Sequence, residues 1–275
     1  MGYTVTLPIA RYIVLWRTSQ SNFSFREMKL QTFRSALVTG ASSGIGESIV
    51  EELCKAGLTT YALARRSAPL AALQERTGCI AMSLDLLDIE SIYSRVSSLE
   101  VDVLVNSAGN GLGMHGLLHT SADDICTSMR VNVEAPLHLL RAILPGMLER
   151  KLGYILNVGS TAGLHPVGSA LYGAAKGAMH RLSENLRIEL AGTGIRVTEI
   201  CPGRTDTELF SVALGGSAGQ ETLGALRAPL TPNDISRAVI YALAQPAHVA
   251  ITTLEVIPTE EVIGGIAFAS TPAQD

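Results

Sequence analysis

Tyr172 and Lys176 lie four residues apart in a stretch, Ala170–Leu190, whose pattern predicts a helix, so their side chains share one face. A tyrosine hydroxyl can give a proton to a substrate oxygen or take one from it, but its ordinary pKa of about 10 is high for work at neutral pH. A neighbouring ammonium stabilises the phenolate and draws that pKa down. Ser160 stands twelve residues before Tyr172, just past an expected strand Tyr154–Val158, where its hydroxyl can hold the same substrate oxygen. Asn132 is a polar residue among apolar neighbours inside another expected helix. It suits either a satisfied buried amide or a group that fixes a water behind Lys176. A Tyr-x-x-x-Lys spacing alone is common by chance; with Ser160 and Asn132 it describes a proton-transfer site at a hydroxyl or carbonyl oxygen.

The elements that must position these groups follow from short apolar runs alternating with helical periods. Ser35–Thr39, Leu58–Ala64, Cys79–Ser83, Val101–Asn106, Tyr154–Val158, Ile195–Cys201 and Thr253–Ile257 read as strands, apolar on both faces as covered strands are. Helices are expected from about Gly44 to Ala56, Asp88 to Leu99, Ala122 to Arg150 with kinks or breaks at Pro136 and Pro145, Ala170 to Leu190, and Pro232 to Ala244. The stretch from Gly203 to Pro229 reads as loop. This alternation predicts an α/β fold: a single-domain, Rossmann-like, doubly wound parallel sheet of about seven strands with helices on both faces.

Thr39-Gly40-Ala41-Ser42-Ser43-Gly44-Ile45-Gly46 falls between the first strand and the first helix. Glycines there allow a tight turn and bring helix N-terminal amides to a pyrophosphate. After the second strand stand Arg65 and Arg66 with no carboxylate, and with Ser42 and Ser43 they suit a ribose 2′-phosphate. The cofactor expected is therefore NADP(H), whose oxidised nicotinamide would also favour the Tyr172 phenolate. Lys176 can hold the nicotinamide ribose. Asp85, after the third strand, is placed to meet the adenine amino group. Asn106, Ala108 and Gly109 follow the fourth strand.

Composition limits the alternatives. The chain has 275 residues, 47% hydrophobic and 17% charged, which suits one large domain with a sizeable core. A formal charge of -4 offers no cationic field for nucleic acid or anionic membrane. Cys54, Cys79, Cys126 and Cys201 are scattered without a Cys-x-x-Cys pair, which reads as buried free thiols in a reducing cytoplasm. No metal site is expected, since His115 and His119 have no acid or cysteine beside them. The domain is expected over 35–260, with a C-terminal tail over 261–275. Residues 1–34 read as an extension that is basic and too short in its apolar run to span a bilayer. We take Met1–Glu27 as an appendage before a natural start at Met28, with a transit-like presequence as the other reading.

Taken together, Thr39–Gly46, Asn106–Gly109, Asn132, Ser160, Tyr172-x-x-x-Lys176 and Pro202-Gly203 resemble the short-chain dehydrogenase/reductase family, from about Ser35 to Ile257. The resemblance implies hydride transfer between nicotinamide and a carbonyl or alcohol carbon. It makes Asn132, Ser160, Tyr172 and Lys176 the catalytic residues. It implies further cofactor contacts at Leu86, Pro202, Gly203, Thr205 and Thr207, the last with the nicotinamide carboxamide, and a homotetramer. Ser107 replaces the second asparagine usual after the fourth strand, and Thr205 stands where valine or isoleucine is common.

Arg141–Arg150, Gly159–Gly163, Leu171–Lys176, Leu230–Asp234 and Ala247–Pro258 are similar to NADP-dependent 3-hydroxy acid (serine 3-) dehydrogenases and sulfoacetaldehyde reductases. This implies a small anionic substrate: a 3-hydroxy acid or semialdehyde, or sulfoacetaldehyde. Arg204 suits its acid group, or else a surface ion pair with Asp206 or Glu208. His165, Val167 and a lid over Leu209–Leu223, including Leu209 and Phe210, are expected to shape the pocket, with Gly215, Gly216 and Gly219 letting the lid close. The loop after Gly203 and the Ser160–Tyr172 interval depart from that subgroup. The apolar lid points instead to a larger apolar ketone or alcohol. A non-catalytic NADP-binding sensor should have lost Tyr172, Lys176 or Ser160, and all three are present.

Overall fold

Seven parallel strands form one sheet in the order β3-β2-β1-β4-β5-β6-β7. They are β1 Ser35–Thr39, β2 Thr59–Ala64, β3 Ile80–Ser83, β4 Val103–Asn106, β5 Gly153–Val158, β6 Ile195–Pro202 and β7 Thr253–Val256. The computed structural model describes residues 30, 32–215 and 227–261. Most of the expected N-terminal extension, part of the lid with Gly216 and Gly219, and the tail beyond 261 lie outside the described residues. No described helix is long and apolar enough to cross a membrane.

Helices cover both faces. On one side α1 (Gly44–Lys55) and Pro232–Leu243 pack over Val38, Val103 and Leu156, with Ile49, Leu53 and Val239 buried between. On the other, α3 (Ile89–Val96), the Ala135–Arg150 helix and the Ala170–Glu189 helix enclose Leu37, Leu104 and Ile155. Both faces of β1, β4 and β5 are buried, which is why these strands show no polar alternation.

Besides the single turn Thr161–Leu164, two helices were not expected. One is α2 (Ser67–Thr77), whose Pro69 sits in the first turn, where its missing N–H costs nothing. The other is Glu208–Leu214 within the expected loop, capped by Thr207, whose Oγ1 accepts from the Leu209 amide. In chain order the remaining helices are α4 (Ala122–Met129), α5 (Ala135–Arg150), α6 (Thr161–Leu164), α7 (Ala170–Glu189), α8 (Glu208–Leu214) and α9 (Pro232–Leu243).

The expected break at Pro136 takes a different form. A π turn, Arg130–Glu134, joins α4 to α5 without interrupting the helix, and Ala135 donates to the Arg130 carbonyl. Pro136 has no N–H to offer Asn132, so the helix widens by one residue just ahead of it. Pro145 stays inside α5. Asn132 lies on the widened turn.

The sheet reverses its winding between β1 and β4, so a crevice opens at their carboxyl ends. Buried polar ladders hold that edge in register. Thr39 Oγ1 accepts from the amides of Ser107 (3.1 Å) and Ala108 (3.0 Å). Asn106 Nδ2 donates to Asn157 Oδ1 at 2.9 Å, and Asn157 Nδ2 to Ser183 Oγ at 2.8 Å, tying β4 to β5 and α7.

Candidate active site

A cavity of about 950 Å³ lies over this crevice and runs from Arg65 and Arg66 to Tyr172 and Arg204. The glycine turn forms its floor. Gly40 has φ +68°, and a Cβ there would fall 2.9 Å from the Ala108 backbone; a Cβ on Gly46 would overlap the Gly40 carbonyl. Ser43 is the N-cap of α1 but makes no side-chain cap bond, so first-turn amides stay available to an anion. Its hydroxyl instead accepts from Arg66 Nη2 at 2.7 Å, while Arg66 Nε donates to Ser42 Oγ at 3.2 Å. Arg66 also meets Glu208 at 3.0 Å, a carboxylate brought in by α8. That hydrogen bond holds the Glu208 carboxyl below the usual range. Uncapped amides at one step and a guanidinium with two serine hydroxyls at the next fit the pyrophosphate and 2′-phosphate of NADP(H). Asp85, whose Oδ1 accepts from the Leu87 amide, and Leu86 line the same cavity.

Ser160, Tyr172 and Lys176 converge at the opposite end, each buried to all but 8%. Ser160 caps α6, its Oγ accepting from the Ala162 amide. Ser169 caps α7 by accepting from the Tyr172 amide, which sets the start of the helix carrying Tyr172 and Lys176. Lys176 Nζ donates to the Val158 carbonyl at 3.1 Å and lies 5.9 Å from the Tyr172 ring centroid. Burial raises the Tyr172 pKa, and a hydrogen bond with Ser160 draws it part of the way back. The expected lowering is therefore not what this geometry produces: with the ring enclosed, desolvation of a phenolate wins. A phenol that keeps its proton is suited to donate one to a carbonyl oxygen. Burial lowers Lys176 to about 8. Reduction is thus expected to slow as pH rises through about 8, where the ammonium loses its charge. A kcat profile flat across that range would contradict this.

Asn132 is a fully engaged buried amide. Its Oδ1 accepts from the Asn110 amide at 3.1 Å, and its Nδ2 faces the Ser128 and Asn110 carbonyls at 3.0 and 3.2 Å. It pins the loop after β4 beside Lys176: a Cβ on Gly109 would fall 2.8 Å from Asn132 Oδ1 and 3.6 Å from Lys176 Nζ. Asn106 lies below the cavity in the ladder to Asn157.

The expected substrate residues separate. Leu209, Phe210, Val167 and Arg204 line the cavity; His165 does not, and its Nε2 lies 2.6 Å from Glu255 Oε1. Arg204 pairs with neither Asp206 nor Glu208. Its partner is Glu261, at 3.2 Å from Nη1, with the other carboxylate oxygen accepting from the Arg204 amide. Gly203, Pro202, Thr205 and Thr207 line the cavity, and the Thr207 side chain packs on Gly44. Sequence reasoning set Glu208 beside Arg204 rather than Arg66 and missed Glu261, because nothing local announces an acid that arrives from a distant element. It also missed the apolar wall of Leu112, Met114 and Val131.

A family model of short chain dehydrogenases matches residues 34–214. The chain is 40% identical over 237 residues to an uncharacterized short-chain type dehydrogenase/reductase of Sinorhizobium fredii, covering 86% of this chain and 96% of that one. It is 38% identical over 240 residues to an NADP-dependent 3-hydroxy acid dehydrogenase of Escherichia coli, covering 84% and 97%. Its fold is similar to the closed form of serine dehydrogenase complexed with NADP+, with TM-score 0.81, 37% identity, and coverage of 86% of this chain and 99% of that one.

Proposed function

The chain belongs to the short-chain dehydrogenase/reductase family and is an NADP-dependent oxidoreductase, and on that premise we propose that it interconverts a small 3-hydroxy acid and its semialdehyde, or sulfoacetaldehyde and its alcohol. When bound, NADPH supplies the hydride. Ser160 holds the carbonyl oxygen, Tyr172 donates a proton to it, and Lys176 provides positive charge beside the phenol as negative charge develops. Asn132 keeps the loop after β4 in place. Arg65, Arg66, Ser42 and Ser43 hold the 2′-phosphate, and Thr207 meets the nicotinamide carboxamide. The same reading makes the protein a cytoplasmic homotetramer, to be checked by light scattering.

The observation that carries the substrate is Arg204. Its guanidinium lines the same cavity as Tyr172, stays 41% exposed, and uses one nitrogen on Glu261, leaving donors for a carboxylate or sulfonate. NADPH consumption with a panel of anionic and uncharged aldehydes tests it. Arg204→Ala is expected to raise KM for anionic aldehydes by about tenfold or more, the worth of a charged hydrogen bond, and to leave uncharged ones little changed. Glu261→Gln frees Arg204 and should lower KM for the same anions.

A second reading, an apolar ketone or alcohol, draws on the wall of Leu112, Met114, Val131 and Phe210 and on the neutralisation of Arg204 by Glu261. Turnover of bulky apolar carbonyls alone would favour it.

A further inference from the structure

A second layer of charge lies beneath the catalytic floor. Glu199, on β6, is fully buried. Its Oε2 is 2.6 Å from His180 Nδ1, and its Oε1 has no partner. A buried carboxylate with an unsatisfied oxygen is costly. The carboxylate packs against the turn that bears the chemistry: a Cβ on Gly159 would overlap Oε1. Gly159 separates Val158, whose carbonyl accepts from Lys176, and Ser160. On α7, Tyr172, Lys176, His180 and Glu184 recur every four residues and form one stripe.

We propose that Glu199 and His180 are a positioning pair for hydride transfer: the imidazole holds the buried carboxylate, and the carboxylate seats the Val158–Ser160 turn on which Lys176 and the substrate oxygen are held. The titratable groups around Glu199 are Lys176, His180 and Glu184 on α7, Cys201 on β6, and Glu255 on β7 with its partner His165. Burial drives Lys176 down to about 8 while Glu199 pushes the other way. The Cys201 thiol is held protonated by burial and by the charge of Glu199. His180 is partly exposed, with Nε2 3.7 Å from Glu184 Oε1 at the outer end of the stripe.

The inference concerns the proton machinery and holds for any carbonyl substrate. The experiment is the pH dependence of kcat for NADPH-dependent reduction in wild type, Glu199→Gln, His180→Ala and His180→Gln, with melting and NADPH affinity measured for each. Glu199→Gln is expected to move the alkaline limb down by about one pH unit or more, the effect of removing a nearby opposite charge. Activity at about pH 6 then stays close to wild type while activity at about pH 8 falls about fivefold or more. His180→Ala moves the limb the same way, and His180→Gln, whose amide still donates, restores it. A wild-type limb in folded, NADPH-binding Glu199→Gln overturns the proposal, as does a loss equal at all pH values. If Glu199→Gln does not fold, the two His180 variants decide: identical profiles in both overturn it.

Discussion

Tyr172→Phe is expected to lower kcat for carbonyl reduction by about a thousandfold, within the range that a positioned proton donor contributes. The ring is buried at the head of α7, and phenylalanine keeps its packing while removing only the hydroxyl. What is lost is the proton donor at the carbonyl oxygen and the hydrogen bond with Ser160. Because burial keeps the phenol protonated, the loss should be greatest in the reductive direction. NADPH affinity, set by groups at the far end of the cavity, should hardly change. Single-turnover rates with saturating NADPH check this; a variant that keeps a tenth of the wild-type rate would move the proton donor to another group.

Arg65→Ala with Arg66→Ala is expected to weaken NADPH by about a hundredfold, two charged hydrogen bonds' worth, and to leave NADH binding much less affected. Arg66 is about half exposed, which places its share at the lower end of that range. It also bonds Ser42, Ser43 and Glu208, so its removal loosens the glycine turn for either cofactor. For that reason the ratio of kcat/KM for NADPH to that for NADH is the proper measure. An unchanged ratio would assign the 2′-phosphate to other groups.

How much of this was legible beforehand can be argued from particular residues. Strand positions came within about two residues, because covered strands are continuous apolar runs that need no tertiary information. The place of the glycine turn and of Arg65-Arg66 at the crevice was equally legible: a tight turn admits few residue types, and the end of the second strand opens on the crevice in this architecture. Short α8 and proline-bearing α2 were not, since neither carries a long apolar period and both depend on caps and packing for their existence. Pro136 predicts a kink or a break because its lost hydrogen bond is a local fact. That the helix would widen at Asn132 instead depends on what packs around it.

The sequence by itself determined which groups face the crevice: residue types at helical and strand spacing put Tyr172, Lys176 and Ser160 at one end of the cavity and the glycine turn with Arg65 and Arg66 at the other. Only the tertiary structure decided the charge around them. Glu208 reaches Arg66 across 142 positions, Glu261 reaches Arg204 across 57, and His165 turns to Glu255 across 90. Burial likewise raises Tyr172, where spacing alone predicted a lowered pKa. The reason is physical: spacing along a chain fixes which side chains share a face, whereas desolvation and Coulomb interactions depend on everything that the fold brings near.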